Sequence, residues 1–291
     1  MKDKKNVLIL GAYGFLGSRL VYNFEKNGTN VLKHGRSHDS EIKFNNHSEL
    51  KDIIDDNNVD AIINLVAATD VDLCETDLNY ALEPNIYFLE DVVKAIESVN
   101  KEKIPFLVHI SSDQVYQGNG PHFEKDARPL NIYSLTKYFS ENIALNVPST
   151  VLRTNFIGKS SNPNRQSLSD FIVYSLRKEE RIEVFEDVFF NPLYIDTLCN
   201  IIDTCLNKEI SGVFNVGSSG GVSKADFAFK LAKILDLDLS LMKRIKIFKF
   251  SKLIAPRPSD MRMDCGAFES RFNTKLPSFD SQVKDLVKDY V

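Results

Sequence analysis

Apolar residues run through this chain in two rhythms. Val7 to Leu10 is a short, wholly apolar run ending in glycine, as expected of a strand covered on both faces. From Gly14 to Lys26 the spacing lengthens, with Phe15, Leu16, Leu20, Val21 and Phe24 at helical intervals until Asn27-Gly28 stops them. The alternation then repeats. Thr29 to Lys33 predicts a second strand, a helix starting near Ser48 carries Leu50, Ile53 and Ile54, and Asp60 to Val66 predicts a third strand. A long helical stretch over Ile86 to Val99 leads to a fourth strand at Pro105 to Ile110. A helix through Tyr133 to Leu145 precedes a fifth strand at Thr150 to Arg153.

Strands alternating with helices in this way predict an α/β fold built on a doubly wound, Rossmann-like parallel sheet with right-handed crossovers. After about residue 155 the elements shorten: a helix near Leu168 to Lys178, a strand at Ile182 to Phe185, a helix near Ile195 to Leu206, and a strand at Val213 to Val216. Ser223 is placed to cap a helix running to Leu235. No internal repeat or low-complexity linker separates the halves. The expected organisation is a dinucleotide-binding domain over 1–155 with a returning segment near 187–216, and a smaller α/β substrate-binding lobe mainly over 156–291. The stretch RIKIFKFSK (244–252) reads as an extended segment with one solvated face.

Composition changes this picture little. With 43% apolar and 26% charged residues in 291, the chain is an ordinary globular protein, and its formal net charge of −4 argues against nucleic-acid or membrane partners. The apolar run near the N-terminus is too short for a secretory signal, and no run approaches the roughly 18 apolar residues of a membrane span, so a cytoplasmic protein is expected. Cys74, Cys199, Cys205 and Cys265 lack metal-ligand spacing and read as small apolar fillers. The five histidines show no clustered pattern either, so no residue is assigned to a metal.

Two patterns carry chemistry. The first is GAYGFLG, residues 11 to 17, between the first strand and the first helix. Gly11 permits the tight turn, Gly14 lets a pyrophosphate approach the backbone, and Gly17 lets the helix pack on the sheet, with Tyr13, Phe15 and Leu16 between them. The helix N-terminus faces the phosphates with its N–H groups. An acid at the end of the second strand would select NAD, but that stretch reads Lys33-His34-Gly35-Arg36-Ser37. Arg36 suits a 2′-phosphate, so NADP(H) is expected in preference to NAD(H).

The second pattern pairs the strand-end run Ser111-Ser112-Asp113 with Tyr133 and Lys137, four positions apart on one helix face. A phenol with a pKa near 10 exchanges protons slowly at neutral pH, and a nearby ammonium lowers that value by about 1 to 3 units. Tyr133 then becomes a workable general acid or base. Ser112 is placed to hydrogen-bond the same substrate oxygen, and Lys137 to hold the nicotinamide ribose as well.

Together these residues resemble the extended short-chain dehydrogenase/reductase family, and within it the nucleotide-sugar reductases of the dTDP-4-dehydrorhamnose reductase branch. The resemblance spans nearly the whole chain. INLVAATDVDLCE (63–75) is similar to a family segment whose Ala67, Ala68 and Thr69 would line the cofactor's diphosphate and ribose. SSDQVYQG (111–118), NPLYIDTL (191–198) and APRPSDMRMD (255–264) resemble further motifs of these reductases. What the resemblance implies is reduction of a 4-keto-6-deoxy sugar carried on a nucleotide diphosphate, with Asp113, Asn155 and Arg257 as substrate contacts and a homodimer as an open expectation. An arginine capping a nearby helix is the competing role for Arg257.

Two positions depart from the branch. Asn155-Phe156 stands where the rhamnose reductases carry Ser-Trp, which leaves the sugar open. Gln114 stands where related 4,6-dehydratases carry a glutamate base, and glutamine cannot take a proton there, which argues against dehydration. Two alternatives remain open on the same fold. One is a nucleotide-sugar epimerase. The other is a non-catalytic regulatory protein like the subunit that accompanies methionine adenosyltransferase.

Overall fold

The computed structural model describes residues 5–35, 40–100, 102, 104–161 and 166–291. Arg36 lies outside the described residues. The chain divides into two compact units, the first made of residues 1–111, 132–152 and 199–214, the second of 112–131, 153–198 and 215–291.

The first unit is built on β1 (Asn6–Leu10), α1 (Phe15–Lys26), β2 (Asn30–His34), α2 (His47–Asp56) and β3 (Ala61–Asn64). Two short helices, α3 (Val71–Thr76) and α4 (Leu78–Leu82), and a π-helical turn over Glu83–Tyr87 run into α5 (Phe88–Glu97). Then come β4 (Phe106–Ile110), α6 (Ile132–Ala144) and β5 (Ser149–Thr154). β1, β3 and β4 carry continuous apolar runs because helices cover both faces; His34, Asn64, His109, Ser149, Thr150, Arg153 and Thr154 are buried polar exceptions along the five strands.

The central sheet has six strands in the order β10-β5-β4-β3-β1-β2, with β10 at Gly212–Val216. β1 pairs in parallel with β2 and β3, β3 with β4, and β4 with β5. The winding direction reverses at β1. The carboxyl ends of β1 and β3 therefore flank the crevice in which such sheets bind ligands. Beneath it, Leu8, Leu10, Leu50, Ile54, Ile62, Leu89, Val92, Ile96 and Leu107 form one continuous apolar core.

Between β5 and β10 the chain forms β6 (Phe156–Ile157), α7 (Leu168–Arg177), β7 (Ile182–Phe185), β8 (Phe189–Phe190), β9 (Leu193–Tyr194) and α8 (Ile195–Lys208). After β10 come β11 (Val222–Ser223), α9 (Lys224–Ile234), β12 (Met242–Ile245), α10 (Gly266–Phe272) and α11 (Phe279–Val287). Among the described residues the second unit holds three two-stranded ribbons in place of a large sheet, and part of its core is aromatic: Phe227 packs edge-on against Phe190 and Phe279, at 5.8 and 6.3 Å between ring centres. Ser223 Oγ accepts from Asp226 N at 3.0 Å, capping α9 as its sequence suggested.

Two expectations change. The helix expected over Ile86 to Val99 starts earlier, at Leu78, and passes through the π-helical turn that buries Asn85. The stretch 244–252 is only partly extended. β12 ends at Ile245, and a single tight turn over Ile247–Lys249 follows because Asp187 Oδ1 accepts the Ile247 N–H at 2.8 Å.

Among the described glycines of the first unit, Gly17 is the most closely packed. A Cβ there would lie 2.1 Å from the Gly11 carbonyl oxygen and 2.8 Å from Ala12 C, both backbone atoms. Replacing a helical glycine by alanine ordinarily stabilises by about 1 kcal/mol. Here the sign reverses: Gly17→Ala is expected to destabilise by about 2 to 4 kcal/mol, read as a lower urea midpoint at unchanged slope.

Candidate active site

The glycine turn is held by the edge of the sheet. Gly11 N and Ala12 N both donate to the His34 carbonyl, at 3.0 and 2.9 Å, and Gly14 N donates back to Gly11 O at 3.0 Å. Gly11 adopts φ +86°, which a side chain resists, and its missing Cβ keeps the turn against Leu65 and Val66. At Gly14 a Cβ would come within 3.2 Å of Gly11 O. No side chain caps α1 and no acid occupies its first turn, so the helix end that follows the turn suits an anion. These features fit the diphosphate of a dinucleotide. Leu16 is buried in the core, Phe15 is half-buried, and Tyr13 is exposed at the rim, its hydroxyl accepting from Glu41 N at 3.3 Å.

The loop after β3 carries Ala67, Ala68 and Thr69. Ala68 N donates to Asn85 Oδ1 at 2.9 Å, Asn85 Nδ2 donates to Thr136 Oγ1 at 2.8 Å, and Thr136 Oγ1 donates to Tyr133 O at 2.9 Å. Asn85 thus ties the β3 loop to the first turn of α6. Sequence reasoning missed it, although an asparagine in mid-helix next to Pro84 was a visible oddity.

Tyr133 and Lys137 both lie on the buried face of α6, 8% and 2% exposed. Lys137 Nζ donates to the Ile110 carbonyl at the end of β4, at 2.7 Å. Burial pulls its pKa down to about 8, against a raising contribution from Glu141. The layer under it is ordered. Asn64 Oδ1 accepts from Val66 N, which fixes the amide, so Asn64 Nδ2 donates to His109 Nδ1 at 3.1 Å and the imidazole proton sits on Nε2. That proton goes to Ser140 Oγ at 2.9 Å, and Ser140 in turn donates to Lys137 O at 2.7 Å. Burial, and then the charge of Lys137, hold His109 neutral.

The division between units falls between Ser111 and Ser112, so Ser112, Asp113, Asn155 and Arg257 belong to the second unit. Ser112 Oγ accepts from Gln114 N at 3.1 Å, opening the short turn that holds Asp113. Asp113 is 1% exposed, and its Oδ2 accepts from Asn155 Nδ2 at 2.9 Å. Burial pushes the Asp113 carboxyl up to about 7, although Asn155, Lys224 and Ser112 all favour its anion. Lys224 is a cation the sequence reading did not single out. Burial lowers its pKa, Asp113 raises it, and Arg257 lowers it further, so the three charges sit within reach of one another. Arg257 Nη1 donates to Ala255 O at 2.8 Å.

Elsewhere in the motif APRPSDMRMD the work is structural. Asp260 takes both Arg262 Nε at 2.9 Å and Nη2 at 2.6 Å while its Oδ2 also accepts from Gly120 N at 2.8 Å. The cysteines behave as fillers, with Cys74, Cys199 and Cys205 buried.

A parallel sheet with a glycine turn at its switch point, and a Tyr/Lys helix beside it, defines a dinucleotide-binding protein of the short-chain dehydrogenase/reductase type. The family model described as RmlD substrate binding domain matches residues 5–291, and the chain belongs to that family. It is 26% identical over 300 residues to a dTDP-4-dehydrorhamnose reductase of Shigella flexneri, covering 98% of this chain and 97% of that one. It is 25% identical over 285 residues to the methionine adenosyltransferase 2 subunit beta of Xenopus tropicalis, covering 91% and 82%. Its fold matches a crystal structure of dTDP-4-dehydrorhamnose reductase from Bacillus anthracis strain Ames in complex with NADP, at a TM-score of 0.85, 22% identity, and coverage of 98% and 99%.

The Asp113 carboxyl has a definite consequence for stability. Its native pKa lies above its ordinary 3.8, so between about pH 4 and 7 the folded chain holds a proton that the unfolded chain has lost. Stability therefore falls as pH rises through that window. Asp113→Asn removes the effect. Relative to the parent, the variant is expected to gain about 2 to 4 kcal/mol between pH 4 and pH 8 in paired urea titrations.

Proposed function

We propose that this chain is an NADP(H)-dependent reductase of a nucleotide-linked 4-keto-6-deoxy sugar, with NAD(H) as the weaker cofactor. The observation that carries the reading is Lys137, an ammonium 2% exposed and anchored on the β4 carbonyl, one helical turn from Tyr133 on the same buried face. The reductases among its relatives, and their NADP complex, support the chemistry.

The residues that hold the dinucleotide are the turn of Gly11, Tyr13, Gly14, Phe15, Leu16 and Gly17, the loop of Ala67, Ala68 and Thr69, and Tyr133 with Lys137, the lysine toward the ribose; Arg36 is assigned to the 2′-phosphate. When bound, the nicotinamide supplies the hydride. Tyr133 gives its hydroxyl proton to the substrate oxygen as the ketone becomes an alcohol, and the Lys137 ammonium stabilises the phenolate left behind. Ser112 donates a hydrogen bond to the same oxygen. On the sugar-nucleotide side, Asp113 and Asn155 contact the sugar, and Arg257 meets the diphosphate as a planar, bidentate donor.

The segments 1–155 and 187–216 are assigned to cofactor binding and the rest of 156–291 to the substrate. The proposed setting is the cytoplasm; among the described residues, no helix is long and apolar enough to cross a membrane. A homodimer is the proposed assembly. α6 turns Leu135 and Phe139 outward, 38% and 52% exposed and one turn apart, and light scattering of the purified chain reads the state directly. The regulatory reading draws on the adenosyltransferase subunit and differs in one respect, cofactor binding without turnover on any nucleotide sugar.

The test follows NADPH and NADH absorbance with a panel of nucleotide-linked 4-keto sugars. Turnover that consumes reduced cofactor stoichiometrically is expected, faster with NADPH. Tyr133→Phe should lower kcat by about a hundred- to ten-thousandfold while NADPH affinity, measured by calorimetry, stays within about twofold. Full activity in that variant removes Tyr133 from the role.

A further inference from the structure

Glu141 lies one turn beyond Lys137, so Tyr133, Lys137 and Glu141 stand at i, i+4 and i+8 on α6. It is 2% exposed. A carboxylate so deeply buried is retained only where it is paired and hydrogen-bonded. Its Oε1 accepts from Ser111 Oγ at 2.5 Å, and its charge acts on Lys137 against the cost of burying that ammonium.

We propose that Glu141 is a positioning residue of this site: held by Ser111 at the end of β4, it keeps Lys137 in its charged, phenol-activating form.

The groups facing the ammonium account for its state. Ile110 O on β4 accepts its proton. His109, also on β4, is held neutral by its own burial and by Lys137, so it adds no competing positive charge. Asn85 and Thr136 are spent on the β3 loop and on Tyr133 O. Among these neighbours Glu141 alone brings negative charge. Removing it leaves the burial of Lys137 without its counterweight, and the lysine loses its proton at lower pH.

The inference rests on the reading that Lys137 activates Tyr133, and its closing experiment needs no substrate. Lysine 13Cε chemical shifts are followed against pH in the full chain, with Lys137 assigned by the signal missing from Lys137→Met. The parent is expected to titrate near pH 8. Glu141→Gln keeps an acceptor for Ser111 while removing the charge, and its midpoint should fall by about one unit. An unmoved midpoint in that variant overturns the inference. Where turnover is measurable, the alkaline limb of kcat/KM should move down with it, costing about tenfold at pH 9 and about twofold at pH 7. A shifted midpoint without turnover on any sugar leaves the inference standing and removes the proposed reaction. If Glu141→Gln does not fold, Glu141→Asp serves. It retains the charge, so its midpoint should stay within a few tenths of the parent's, and a fall of a full unit overturns the inference.

Discussion

The first unit turns on the burial of one ammonium. A lysine at 2% exposure is expensive unless its proton has a fixed acceptor and its charge a counterweight, and the sequence supplies both from neighbouring positions. Ile110 closes β4, still in register with Leu152, and its carbonyl takes the Lys137 proton at 2.7 Å. The layer below is uncharged: Asn64, His109 and Ser140 form a directed chain of donors that ends on Lys137 O. A charged imidazole in that place would repel the lysine. The polar residues under α6 are therefore the conditions under which a strand-rich core tolerates a cation at its rim.

The glycine turn solves the complementary problem for an anion. Backbone N–H groups of Gly11 and Ala12 close on the His34 carbonyl, which fixes the turn to β2, and the His34 ring joins Phe44 and Phe88 in a three-ring cluster, 4.6 and 5.6 Å from them between ring centres. Burial drives the His34 pKa down to about 4, so its ring is a neutral aromatic plate at physiological pH. Rigidity at the turn thus comes from packing behind β2 as much as from the glycines. A diphosphate at the turn, as proposed, would meet a preformed backbone cradle and need not organise one.

Much of this was legible in the chain. Continuous apolar runs alternating with helical spacing gave the parallel sheet, because a strand covered on both faces leaves few polar positions to blur the pattern. The glycine turn and the Tyr/Lys pair were legible because each depends on residues close in sequence. What stayed hidden depends on distant ones. Asn85 acts through Ala68 and Thr136, and Asp260 through Gly120, separations that no local period encodes. The 244–252 stretch was misread in part because a turn held by Asp187 leaves no mark on the alternation of lysines and apolar residues. Arg36, named for the 2′-phosphate, lies outside the described residues.

The second unit shows why a motif can be diagnostic of a family without being chemical. In APRPSDMRMD the most constrained contacts join Asp260 to Arg262 and Gly120, so much of the motif is a clamp between two distant loops. Its first arginine differs. Arg257 Nη1 donates to the Ala255 carbonyl, and the guanidinium lies within electrostatic reach of Lys224, which itself answers to Asp113. Two cations beside a carboxyl whose burial favours its neutral form make a region of net positive charge. That charge is the physical ground for the proposed contact of Arg257 with a diphosphate, and part of it comes from a lysine that no sequence motif had marked.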